Sequence, residues 1–144
     1  MAEFIFKDLL EKRGLSAEYY VRSSATSTEE IQNGIGNPVY PPAREELKKH
    51  GISCVGKRAV QLTAADYAKY DLLIAMDSNN IRNMMRIFHS DPDGKIHKLS
   101  EFADSQNDIS DPWYTRDFET CFCDIYKGCS CLLNCLLKGE TENA

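Results

Sequence analysis

The run Asp71-Leu72-Leu73-Ile74-Ala75-Met76 has no polar residue after its first position. A strand with one wet face alternates apolar and polar side chains. An unbroken apolar run is the pattern of a strand covered on both faces. Asp77-Ser78 ends it. Such a strand needs helices on either side, and the chain supplies them. Residues 2–13 read as a helix, with Phe4, Ile5, Leu9 and Leu10 along one side and Gly14 as its stop. Pro41-Pro42 opens a second helix that closes at His50-Gly51. Thr63 is the expected N-cap of a short third. Residues 79–88 form a fourth. Residues 116–138 are the strongest helix, because Phe118, Phe122, Ile125, Cys129, Leu132, Leu133 and Leu136 recur at helical spacing. Residues 19–24 and 95–99 read as further strands. Residues 25–40 and 100–115 read as loops, and Asp91-Pro92-Asp93-Gly94 as a turn. Strands alternating with helices imply βαβ units and a parallel sheet. Ligands of such sheets sit beyond the carboxyl ends of the strands. Here those ends are the loops after Ser24 and Met76.

At 144 residues the chain reads as a single domain, 1–144, with no repeat or linker. A net charge of -5 gives no electrostatic reason to expect nucleic acid or an anionic membrane as a partner. No apolar run approaches the ~20 residues that span a bilayer. The first residues have no basic stretch of the signal-peptide kind, so a cytoplasmic location is expected. Of the 6 cysteines, all but Cys54 fall in the last helix. Cys121 and Cys123 point to nearly opposite faces of a helix, as do Cys129 and Cys131, so neither pair would chelate one ion. They read as reduced cysteines packed like small apolar residues, and no metal or other cofactor is expected.

Asp111-Pro112-Trp113-Tyr114 carries the most chemistry. Proline keeps the preceding residue extended, which aims the Asp111 carboxylate outward. The two aromatics that follow could flank a planar ligand. A carboxyl group beside aromatic walls is expected to be partly desolvated, which favours its protonated form and suits a general acid. Read alone, the tetrapeptide is better described as a turn before the last helix.

Its context is more specific. Ser24-Ala25-Thr26-Ser27, Gly36-Asn37-Pro38, His50-Gly51-Ile52, Tyr70-Asp71-Leu72, Met76-Asp77-Ser78-Asn79, Asp111-Pro112-Trp113-Tyr114 and Asp117-Phe118-Glu119-Thr120 occur in that order. Together they resemble the low-molecular-weight protein tyrosine phosphatases, particularly bacterial ones, from Met1 to about Leu137. The resemblance implies an α/β three-layer sandwich around a parallel sheet of order 2-1-3-4. It implies metal-free hydrolysis of phosphotyrosine, in a protein or a small aryl phosphate, through a phosphocysteine intermediate. Asp111 would protonate the leaving phenolate and then deprotonate the attacking water. Tyr40, Trp113 and Tyr114 would wall the aryl ring.

The family's Cys-x5-Arg-Ser phosphate loop has no counterpart. Six residues after Cys54 stands Val60; after Cys121, Lys127; after Cys123, Cys129; after Cys129, Cys135. Lys57 and Val60 also stand where some members have His and Arg. The opening Met1-Ala2-Glu3 matches the start of the helix that follows the loop. The expectation is therefore an N-terminally incomplete domain, lacking the first strand and the nucleophile, and inactive as it stands. A strand that carries five large apolar side chains contributes ~8–15 kcal/mol gross, comparable to a whole domain's net stability. Either its neighbours close up, or another chain fills the slot, as in a strand-exchanged or otherwise complemented homodimer. A misread gene start is a third explanation. The other functional expectations are a non-catalytic phosphoprotein-binding or scaffold relative and a fragment of a thiol-dependent arsenate reductase.

Overall fold

The computed structural model describes residues 1–143 apart from Thr28, Glu30 and Asn33. The elements run α1 (Ala2–Lys12), β1 (Ile31–Gln32), β2 (Ile35–Gly36), α2 (Pro41–Lys49), α3 (Asp66–Lys69), β3 (Leu73–Ala75), α4 (Ser78–Phe88), β4 (Ile96–Lys98), a 3₁₀ turn (Leu99–Ala103), α5 (Pro112–Thr115) and α6 (Phe118–Asn143).

β3 pairs in parallel with β4, with Leu73, Ile74 and Ala75 opposite Ile96, His97 and Lys98. The strand lies between two apolar clusters. Leu72, Ile74 and Met76 pack on a cluster built from α1, α2 and α6, in which Ile5, Leu47 and Leu133 are at most 1% exposed. Ala75, itself 1% exposed, faces Leu62 and Met84 of a second cluster, beside α4. The period-two alternation of a strand thus sorts one apolar run into two layers of packing. Each large side chain so buried contributes roughly 1.5–3 kcal/mol, which is why the run has no polar break.

The helices follow from their ends. α1 stops at Gly14, whose φ of 68° is the left-handed conformation glycine adopts freely. Asp77 caps α4 by accepting the Asn80 N–H at 2.7 Å. Asp117 does the same for α6 through Thr120 at 3.0 Å. At Thr63 the expectation was wrong. Its N–H and hydroxyl both donate to the Asp66 carboxylate, and α3 begins only at Asp66. Asp66 is an acceptor one turn ahead, so the threonine serves as donor rather than cap.

Three further expectations are corrected. Residues 19–24 form no strand: among the described residues the sheets are β1–β2 and β3–β4. The segment is held instead by Glu3 and, beyond it, by a single parallel bridge from Ala25 to Gln61. Nor have the two flanking segments closed up on each other. Leu73 donates to Lys95 O at 3.0 Å, so in a parallel ladder Ile74 turns its peptide groups to the opposite edge, where no described strand lies. Second, the loop at 25–40 contains the antiparallel pair β1–β2. It lies so close to the next segment that a Cβ on Gly36 would run into the Ala59 carbonyl. Third, the loop at 100–115 contains the 3₁₀ turn and α5.

Candidate active site

The loop before Asp111 is tied to the carboxyl end of β3. Ile109, 5% exposed, donates its N–H to Met76 O at 2.9 Å. The Asp108 carboxylate accepts from the N–H and hydroxyl of Ser78, at 3.0 and 3.2 Å, and from Lys98 Nζ at 2.8 Å. Lys98 and these donors hold Asp108 below the usual carboxylate range. The Ser100 hydroxyl donates to Asn107 O at 2.6 Å. Asp111 follows directly, in the extended conformation that Pro112 imposes, with φ -72° and ψ 117°. It caps α5 by accepting the Trp113 N–H at 2.9 Å.

Asp111 is exposed. The expected desolvation beside aromatic walls is absent: its carboxylate lies open to water and accepts one backbone N–H. The aromatics are also arranged differently from two jaws. Tyr40 and Trp113 touch each other, with centroids 4.7 Å apart and planes at 59°, and Phe118 lies behind Tyr40 at 6.0 Å. They form one aromatic wall. Tyr114 is 80% exposed and makes no ring contact among the described residues.

Two residues that the sequence reading missed organise this region. Arg116 ends α5 with a φ of 59°. Its Nη1 donates to the Tyr40 hydroxyl at 2.6 Å, and its guanidinium lies 5.2 Å from the Trp113 ring and 5.9 Å from that of Tyr40. The only sequence hint was a cation placed two residues after the Asp-Pro-Trp-Tyr motif. Glu3, 5% exposed, accepts from Ser23 N and Oγ at 2.7 and 3.0 Å, Lys57 Nζ at 2.8 Å and Lys7 Nζ at 2.9 Å. These donors outweigh burial and bring its carboxyl down to about 2. Beside this hub is a hollow of about 210 Å³ lined by Ser23, Ser24, Ala25, Lys57, Ala59 and Val60. Asp111 and Trp113 are not part of its wall.

The cysteines are free thiols. Cys54, Cys121 and Cys129 are buried. Burial pushes Cys121 up to about 11 and Cys129 to about 12, so neither is a thiolate at neutral pH. Cys123 and Cys135 are exposed, so the expectation that they pack like small apolar residues fails for them; they lie in α6 on positions turned away from its packed face, and its backbone N–H groups are engaged in the helix.

A sequence profile of low molecular weight phosphotyrosine protein phosphatases matches residues 1–142. The chain belongs to that family. It is 33% identical over 141 residues to the low molecular weight protein-tyrosine-phosphatase YfkJ of Bacillus subtilis, covering 96% of this chain and 87% of that protein. It is 32% identical over 138 residues to the low molecular weight phosphotyrosine protein phosphatase of Gallus gallus, covering 92% and 84%. Its fold superposes on the crystal structure of Bacillus subtilis YfkJ with a TM-score of 0.88 at 34% identity, covering 96% of this chain and 86% of that one. The Streptococcus pyogenes phosphatase SP-PTP gives 0.80 at 32% identity, with 94% and 82% covered. The phosphatase family and its α/β fold therefore stand. Among the described residues, no helix is long and apolar enough to cross a membrane.

Proposed function

We propose that these residues supply the leaving-group side of a phosphotyrosine phosphatase site, with Asp111 as its general acid and base. Phenolate leaves a phosphorus centre slowly unless a proton arrives as the bond breaks. The observation that carries this reading is the Ile109–Met76 hydrogen bond. It sets Asp111 at the carboxyl end of the parallel strand, next to the aromatic wall of Tyr40 and Trp113, with Tyr114 exposed to a substrate ring. The exposure of Asp111 leaves both of its oxygens reachable by a phenolic oxygen and then by water. After transfer, the same carboxylate takes the proton of the water that hydrolyses a phosphocysteine.

The nucleophile in this reading is none of the six cysteines. Three are buried and three lie on α6 away from any ring of free amides, so no thiolate here is cradled to attack phosphorus. The chain alone is therefore inactive toward aryl phosphates. The unpaired edge of β3 is where a complementing strand would add, whether from a second copy or from another source.

The test uses an extended form in which a strand and a Cys-x5-Arg-Ser loop are fused ahead of Met1. Hydrolysis of phenyl phosphate is expected, and Asp111→Asn should lower kcat about 10²–10⁴-fold. The loss should be far smaller for a leaving group such as dinitrophenolate, which needs no proton. An equal loss for both leaving groups would show that Asp111 does not protonate the phenolate.

A further inference from the structure

Arg116 is a cation without an ion pair among the described residues, yet it is held in place. The Tyr40 hydroxyl takes one donor at 2.6 Å, and the guanidinium lies against the rings of Trp113 and Tyr40. The nearest acid in sequence, Asp117, is engaged elsewhere: both its oxygens accept from Thr120, at 3.0 and 2.7 Å. Arg116 is itself exposed, and only one of its guanidinium donors is taken by Tyr40 among the described residues. A guanidinium so fixed loses little side-chain entropy on binding and offers a fork suited to a carboxylate.

We infer that Arg116 is a specificity residue that selects phosphotyrosine peptides carrying an aspartate or glutamate beside the phosphotyrosine. This rests on the aryl-wall reading above. Neighbouring residues of an extended peptide are spaced about 3.3–3.6 Å. An acid one or two positions from a ring lying on Trp113 thus falls within reach of a guanidinium 5.2 Å from the Trp113 ring centroid. The partner is a carboxylate of the substrate chain, not the phosphate.

Trp113 is the single tryptophan, so its fluorescence reports the site in the 144-residue chain itself. The probes are phenyl phosphate and two phosphotyrosine pentapeptides, one flanked by glutamates and one by glutamines. The glutamate peptide should bind about 3- to 5-fold tighter, and the preference should fade with salt. Arg116→Gln should abolish the preference and leave the glutamine peptide unchanged. Arg116→Lys should keep part of it. Arg116→Gly, which eases the left-handed backbone, should lose it as Gln does and covers a misfolded Gln variant. Equal wild-type affinity for the two peptides overturns the inference. So does a uniform loss for both peptides and phenyl phosphate in Arg116→Gln, which would mean the guanidinium serves the phosphate or only props Tyr40. If none of the three probes changes Trp113 emission, the aryl-wall reading fails and this inference falls with it.

Discussion

Ile109 hands its backbone N–H to the carbonyl of Met76, and the loop carrying Asp111 thereby hangs from the carboxyl end of β3. The bond gives the carbonyl that follows β3 a partner, as a ladder bond does within a sheet. The Ile109 side chain is buried beneath it. In native-state hydrogen exchange, the Ile109 amide should exchange far more slowly than those of Ser110 and Gln106. Comparable rates would mean that the loop is not held as described. Ile109→Ala should cost about 2–4 kcal/mol in urea unfolding.

Glu3 should make stability depend on pH. Its carboxyl is near 4.5 when unfolded and about 2 when folded. A depressed folded pKa contributes stability that is fully present above the unfolded value and lost as pH falls toward the folded one. The contribution is about 3 kcal/mol at pH 7, and roughly half of it is gone by pH 3. Glu3→Gln should destabilise by a similar amount at pH 7, and the gap from wild type should narrow as pH drops below 4.5. A gap that does not change with pH would remove the carboxylate from the account.

Two glycines of α6 should respond with opposite signs. A Cβ at Gly128 would stand 2.6 Å from Leu99 Cγ, while one at Gly139 meets nothing within 4 Å. Overpacking costs about 1–3 kcal/mol, and alanine gains up to about 1 kcal/mol of helix propensity. Gly128→Ala should therefore lower Tm, and Gly139→Ala should leave it unchanged or raise it slightly. If both raise it, α6 does not pack as closely on the 3₁₀ turn as the structure has it.

Thiol reactivity should follow burial. Cys123 and Cys135 are exposed and should react first with an aromatic disulfide reagent. Cys131 is intermediate. Cys121 and Cys129, pushed to about 11 and about 12, should react only on unfolding, with Cys54 beside them. A buried cysteine that reacts first in the folded protein would contradict this order.

The parts of the fold legible in the sequence were those with a strong local pattern. The apolar run at 71–76 gave β3 because both of its faces are covered. The spacing of Phe122, Ile125, Cys129 and Leu133 gave α6 because all of them point into one cluster. Residues 19–24 read as a strand from their side chains alone, but a strand also needs a ladder partner, and none pairs with them among the described residues. The β1–β2 pair was missed because two residues per strand leave no alternation to detect. Asp111 was legible as a motif. Its exposure was not, since desolvation depends on what packs around it. The Arg116–Tyr40 bond joins residues 76 positions apart, and no local rule could have brought them together.

The most direct measurement is aryl phosphate turnover by the purified 144-residue chain, with and without exhaustive thiol alkylation. The rate is expected to equal that of buffer, and neither alkylation nor Asp111→Asn should change it. Turnover above buffer that alkylation abolishes would place a working nucleophile among the six cysteines and contradict the account.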